Sequence, residues 1–319
     1  MAVDPQILQF YQRLAERFGA LPPPEDAQAQ RARFEAIAAL SDRPDPEGVE
    51  VADLSLPLPG RTLDAIVFRP KAVTTPRLLV WFHGGGWVVG APRTTHRMLA
   101  ALLAQDTGCA VVSVDYRLAP EHPFPAPADD ARDALAYLAE QRSRLGFDTE
   151  FLAVGGDSAG GHLAAQATQA VHATVRPRLV TAQLLVYPVT MPAFGSESYN
   201  AFAQGPGLTR DEMRWYWEKF IGAEALAKPL AEQDARIHLM AQPPAHTPPD
   251  TVVIVAAHDV LRDDGLLYAD YLVQHGAQVV TIEASGMTHA FARIQFEAER
   301  AREWMRRAAH AFVGMISGE

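Results

Sequence analysis

Phe151-Leu152-Ala153-Val154-Gly155-Gly156-Asp157-Ser158-Ala159-Gly160-Gly161-His162-Leu163-Ala164-Ala165 decides the fold. A short apolar run suited to a buried strand enters a serine flanked by small residues, and an alanine-rich helical stretch leaves it at once. Gly156-Asp157-Ser158-Ala159-Gly160 matches G-x-S-x-G in the strand-turn-helix context that gives the motif its meaning. So sharp a turn strains the serine backbone and needs small neighbours for the helix to pack close behind; Gly156, Ala159, Gly160 and Gly161 meet that need. It also aims the first N–H groups of a helix at the serine, where negative charge can be held. A glycine-rich phosphate loop would show part of the same pattern, so the decision needs residues elsewhere.

Upstream, the apolar run Leu78-Leu79-Val80-Trp81-Phe82 leads straight into His83-Gly84-Gly85-Gly86-Trp87. Glycines leave the backbone bare, so N–H groups can face a ligand. Acyl transfer requires such donors, because its tetrahedral intermediate places negative charge on the former carbonyl oxygen. The N–H groups of Gly85, Gly86 and Ala159 are the expected oxyanion hole. His83, Gly84 and Asp157 are expected to support the two motifs, His83 by fixing its loop through hydrogen bonds.

Apolar runs at 49–56 and 63–68, separated by Pro59-Gly60, read as an antiparallel pair of strands. Further runs at 78–82, 110–114, 151–154, 181–186, 252–256 and 279–282 alternate with helical stretches at 97–105, 128–145, 159–173, 265–275 and 297–313. That alternation predicts an α/β fold with a mostly parallel, eight-stranded sheet flanked by helices. Ahead of the sheet, Ile7, Leu8, Tyr11, Leu14 and Phe18 mark an amphipathic helix, Leu21-Pro22-Pro23-Pro24 a loop, and 27–40 a second helix. A long insertion after Tyr187-Pro188 carries Trp215, Tyr216, Trp217 and Phe220 and reads as a helical cap. The expected organisation is a cap part at 1–48, a core at 49–189, an inserted cap segment at 190–235 and the rest of the core at 236–319. Trp87, Trp215 and Tyr216 are the expected pocket residues, and a closed pocket is expected to favour acyl chains of roughly four to eight carbons.

The formal net charge of −10 over 319 residues lacks the basic face that nucleic acid or an anionic membrane would require. The single cysteine, Cys109, has no intrachain disulfide partner and sits in an apolar run, which suits a buried strand thiol. The charged N-terminal helix is unlike a secretory segment and no run has the length of a membrane span, so a cytoplasmic protein without integral membrane association is expected. A homodimer is left open.

A serine at neutral pH needs a base, and the base an acid that orients it. Eleven histidines compete, so position must choose. Asp259 follows the apolar run at 252–256, and His289 follows the last one through Ser285-Gly286-Met287-Thr288; both fall at carboxyl ends of strands, the ligand edge of an open α/β sheet. Ser158 as nucleophile, His289 as base and Asp259 as acid is therefore the expected triad. His258 falls on the wrong side of Asp259 in the chain order, and His162 lies in the helix behind the nucleophile. Asp115-Tyr116-Arg117-Leu118-Ala119-Pro120-Glu121 reads as a structural ion-pair network around Arg117 and Glu121.

HGGGW at 83–87, DYRLAPEHPFPAP at 115–127, GDSAGG at 156–161, HDVLRDDG at 258–265 and the Thr288-His289-Ala290-Phe291 tail resemble the hormone-sensitive-lipase-like bacterial esterases of the α/β-hydrolase fold. The resemblance spans nearly the whole chain and matches Ser158, Asp259 and His289 at the family's triad positions. It implies a cap built from the N-terminal helices plus the insertion, hydrolysis of short- to medium-chain acyl esters and no cofactor. The family commonly has proline after the triad aspartate and glycine after the triad histidine, where this chain has Val260 and Ala290, and its usual lead into the seventh strand is replaced by the proline-rich 242–250. Amide, formamide or acetyl-group hydrolysis uses the same parts. Plant relatives that bind hormones as receptors keep the pocket and lose a functional triad, and retention of all three residue types here argues against that role.

Overall fold

The computed structural model describes residues 2–19, 26–41 and 43–318; the expected loop at Leu21-Pro22-Pro23-Pro24 lies outside them. One eight-stranded sheet organises the chain: β1 (Val49–Leu58), β2 (Arg61–Pro70), β3 (Leu78–Phe82), β4 (Ala110–Val114), β5 (Leu152–Asp157), β6 (Ala182–Val186), β7 (Asp250–His258) and β8 (Val279–Thr288). Their order is β1-β2-β4-β3-β5-β6-β7-β8. β2 runs antiparallel to β1 and β4, and every other pairing is parallel.

Helices cover both faces, as a sheet buried on two sides demands. Along β3, Leu78, Val80 and Phe82 enter one hydrophobic core, whereas Leu79 and Trp81 enter the other. The first core holds α4 (Ala126–Gln141), α5 (Ala159–Thr174) and α9 (Arg262–Gln274); the second holds α1 (Pro5–Phe18), α3 (Arg97–Thr107) and α10 (Glu299–Ser317). Helix α2 (Ala27–Ala38) lies against the loops at the carboxyl edge: Arg31 donates to the carbonyls of Val88 and Ala119 at 2.8 and 2.9 Å and pairs with Glu121 at 2.6 Å. After β6 come α6 (Glu197–Ala201), α7 (Arg210–Ile221) and α8 (Ala223–Leu226) before the sheet resumes at Asp250. A complete capping box, Thr209 with Glu212, starts α7.

Some boundaries differ from those read in the sequence. α4 begins two residues earlier than predicted because Pro127 sits in its first turn, where proline is tolerated. α9 begins at Arg262, with Gly265 inside the helix, where a Cβ would overlap the Val255 side chain. The expected network of the 115–121 stretch is split: Arg117 binds Asp130, which also meets Arg61, whereas Glu121 reaches across to Arg31. Cys109 is buried, and burial pushes its thiol up to about 11, which suppresses thiolate reactivity. Among the described residues no helix is long and apolar enough to cross a membrane, and no group of His, Cys, Asp and Glu could hold a metal ion.

Candidate active site

Ser158 stands between β5 and α5 with φ 55° and ψ −120°, a conformation that costs an L-residue on the order of 1–3 kcal/mol. The surroundings hold it there. Ser158 N donates to the Val186 carbonyl at 2.9 Å, and the Ser158 carbonyl accepts from His162 N at 3.1 Å. The close packing behind it depends on glycine, since a Cβ at Gly160 would overlap the Phe82 carbonyl.

Asp259 and His289 arrive from the carboxyl ends of β7 and β8. His289 Nε2 lies 2.9 Å from Ser158 Oγ, and His289 Nδ1 lies 2.7 Å from Asp259 Oδ2. The second carboxylate oxygen accepts from Leu261 N at 2.9 Å, which fixes the plane of the acid. Asp259 is 1% exposed, Ser158 6% and His289 8%, and the serine and the imidazole line the cavity whereas the carboxylate does not. The three side chains expected as a triad are thus brought into one hydrogen-bonded line. Ala290 takes the left-handed conformation at φ 64°, which accounts for glycine being usual there; the alanine costs roughly 1–2 kcal/mol. Val260 is fully buried, and its carbonyl accepts from the Ser198 hydroxyl at 2.7 Å.

The loop after β3 faces the same point. Gly85 and Gly86 line the cavity that holds Ser158 and His289, and Ala159 opens α5 directly behind Ser158. Among the described residues the N–H groups of Gly85 and Gly86 carry no hydrogen-bond acceptor. The loop is pinned by its neighbours: Gly84 N donates to Asp157 Oδ1 at 3.1 Å, His83 Nδ1 meets the Gly84 carbonyl at 2.8 Å, and Tyr116 donates its hydroxyl to the His83 carbonyl at 2.7 Å. His96 Nε2 lies 3.2 Å from Asp157 Oδ2. Burial lowers the pKa of His83 to about 3 and that of His96 in the same direction, so both rings are neutral supports.

The cavity has a volume of about 540 Å³, within the usual range for small-molecule sites. Phe10, Tyr11 and Leu14 of α1, Phe34 of α2, and Leu208, Met213 and Tyr216 of the insertion form much of its apolar wall. Of the three expected pocket residues, Tyr216 alone is there. Its ring covers Gly86, where a Cβ would overlap it, and its hydroxyl accepts from Gln30 Nε2 at 2.7 Å. Trp87 and Trp215 do not line the cavity. Trp87 is fully buried, stacked on Phe220 at 4.2 Å, and Trp215 packs against Tyr216 and Lys219. None of residues 242–250 reaches the cavity.

His258 also stays away; its ring meets Phe202 at 5.5 Å. Sequence reasoning missed Tyr187, whose ring lies 4.7 Å from His289, and Arg293, on the short helical turn Phe291–Arg293. It also missed Gly207, where a Cβ would lie 3.3 Å from Thr288 Cβ. A left-handed glycine close above the histidine loop had no signal in the local pattern; Arg293 had one, a cation four residues after His289.

The family described as alpha/beta hydrolase fold matches residues 79–293, which include the glycine loop, the serine turn, Asp259 and His289. The chain belongs to this family. It is 34% identical to an ethyl acetate hydrolase of Pseudomonas putida, over 95% of this chain and 96% of that protein. It is 36% identical to carboxylesterase NlhH of Mycobacterium tuberculosis, over 73% and 74% of the two chains. Among solved structures, a hyperthermophilic esterase from the archaeon Pyrobaculum calidifontis superposes with a TM-score of 0.88 at 32% identity, over 99% of each chain. For this α/β hydrolase the likeness thus extends through the N-terminal helices and the insertion as well as the sheet.

Proposed function

We propose that this α/β hydrolase is a serine carboxylesterase that cleaves short- to medium-chain acyl esters through an acyl-enzyme. The observation that carries the reading is the unbroken line Ser158–His289–Asp259, at 2.9 and 2.7 Å, opening into the cavity that Gly85 and Gly86 also face. Ser158 Oγ attacks the ester carbonyl while His289 Nε2 takes its proton. Asp259 remains ionised and holds the imidazole in the tautomer that can accept it. The N–H groups of Gly85, Gly86 and Ala159 receive the oxyanion. The alcohol leaves with the proton from His289, and water, deprotonated by His289 in turn, releases the acid and restores Ser158. The stretches 1–48 and 190–235 act as a cap over this chemistry, a role supported by Phe10, Phe34, Met213 and Tyr216 in the cavity wall. The ester functions named for the relatives agree with this reading.

The test is a panel of activated acyl esters with the Ser158→Ala variant and a serine-directed phosphonate. Turnover should fall by at least about 10⁴-fold with the fold retained, since only one hydroxyl is removed. The phosphonate should label Ser158 alone. An active Ala variant, or a label on another serine, would reject the nucleophile assignment.

A further inference from the structure

Arg293 is a cation in the cavity wall that, among the described residues, makes no hydrogen bond or ion pair to a carboxylate, although the charge of Asp157 favours its protonated form. Its Nε donates to the Thr95 carbonyl at a long 3.4 Å, and its guanidinium lies over the Phe34 ring at 3.7 Å from the centroid. These contacts leave the terminal NH₂ groups without a protein acceptor among the described residues, although the side chain is half-buried. Two other arginines of the same cavity, Arg93 and Arg97, are neutralised. Arg97 grips Asp45 through two bonds, the longer 2.9 Å, and Arg93 meets Asp53 at 2.6 Å. Nor do the acids of the wall serve Arg293 directly. Asp157 is taken by Gly84 N and His96, Glu35 accepts from the Thr94 hydroxyl at 2.8 Å, and Glu212 closes the Thr209 capping box.

A guanidinium held against an aromatic face, with free planar donors, suits a carboxylate that can accept two parallel bonds. The protein's net charge of −10 works against anion entry at long range, so a local cation is what lets an anionic substrate stay. Phe34, which seats the guanidinium, also lines the cavity that contains Ser158. We infer that Arg293 is a specificity-determining residue that binds a carboxylate carried by the ester substrate, so the preferred substrates are esters of a dicarboxylic acid or of a hydroxy acid. The inference rests on the esterase reading for the bond cleaved, and it adds the class of ester. One carboxylate chemistry has two sources here, the acyl part or the alcohol part of the ester.

Two substrate pairs that differ only in charge separate them: ethyl hydrogen glutarate against the ethyl ester of glutaramic acid, and acetoxyacetate against acetoxyacetamide. The native enzyme should favour the carboxylate member of at least one pair by about tenfold or more in kcat/KM. That ratio should fall by at least about tenfold in Arg293→Gln, chiefly through KM, and be partly recovered in Arg293→Lys. Ratios at or below one for both pairs in the native enzyme, or a ratio unchanged in Arg293→Gln, would overturn the proposal. The native ratios decide even if Arg293→Gln does not fold. Absence of turnover for the neutral members too would be a failure of the esterase reading. Calorimetry with glutarate and glutaramate on Ser158→Ala would then decide the subsite by itself: binding of glutarate alone supports it, and equal or absent binding overturns it.

Discussion

Gly86 shows how little freedom a single residue has at this site. It has φ 58°, its N–H is a proposed oxyanion donor, and the Tyr216 ring lies where a Cβ would be. Gly86→Ala must therefore move the loop or the ring, besides costing roughly 1–2 kcal/mol for the left-handed backbone. Because misplacing one oxyanion donor costs about 10²–10³ in kcat, that is the expected loss. In a Tyr216→Ala background most of the steric conflict is gone, so the same Gly86→Ala change should cost at least about fivefold less. A double-mutant cycle on kcat measures it; equal losses in both backgrounds would mean that the ring does not set the loop. The residues that form the line Ser158–His289–Asp259 were legible in the sequence, because acyl transfer demands particular side chains at the ends of particular strands. Trp87 was misread at this scale: its place beside the glycine loop marks nearness in sequence, whereas its left-handed backbone turns the ring into the core against Phe220.

At the scale of the element, α5 carries Ser158 at its start and a buried histidine one turn later. His162 Nε2 meets the Ile237 carbonyl at 3.1 Å, Nδ1 has no partner among the described residues, and Trp87 and Trp217 pack edge-on around the ring. Burial lowers its pKa from 6.5 to about 4, outweighing the carbonyl bond. Since the unfolded chain takes up this proton near pH 6.5 and the folded one only near 4, the unfolded state binds more protons in between. Stability tied to His162 is therefore complete above about pH 6.5 and falls as pH drops toward 4, by up to roughly 1.4 kcal/mol per pH unit. Urea unfolding of the native protein and His162→Gln at pH 8, 6, 5 and 4.5 should give curves that converge as pH falls, because the variant lacks this titration. Parallel curves would remove His162 from the acid response. The helices α1 and α2 teach a different lesson. The apolar spacing of α1 predicted that it forms and which of its faces is apolar, but periodicity is silent on what that face covers. Phe10, Tyr11 and Phe34 became cavity walls only through the packing of two distant stretches above the sheet.

For the whole molecule, the strand-helix alternation was sufficient to predict the parallel sheet, because strands buried on both faces must be apolar throughout and joined by crossovers. The size and lining of the cavity were not legible, since they arise where α1, α2 and the insertion meet over the carboxyl edge. Of the two insertion aromatics expected in the pocket, Tyr216 lines it and Trp215 does not; Trp217 and Phe220 are fully buried in the core beneath it.

That arrangement predicts a limit on substrate length. Each acyl CH₂ buried against Phe10, Leu14, Phe34 or Met213 contributes about 0.8 kcal/mol, so kcat/KM should rise severalfold with each early addition. The gain stops when the space of about 540 Å³ is filled, because the wall comes from helices held in place by the Tyr216–Gln30 and Arg31–Glu121 contacts rather than from an open groove. Further carbons then meet side chains that must be displaced, and the rate declines. Among p-nitrophenyl esters from acetate to palmitate the maximum is expected at roughly four to eight carbons. Arg31→Ala, which removes the bonds from α2 to Glu121 and to the Val88 and Ala119 carbonyls, should broaden that profile toward longer chains while Ser158 and His289 remain in place. A maximum at palmitate in the native enzyme, together with activation on emulsified triglyceride, would show a wall that opens to a lipid surface and would reject the closed cavity, leaving the triad geometry untouched.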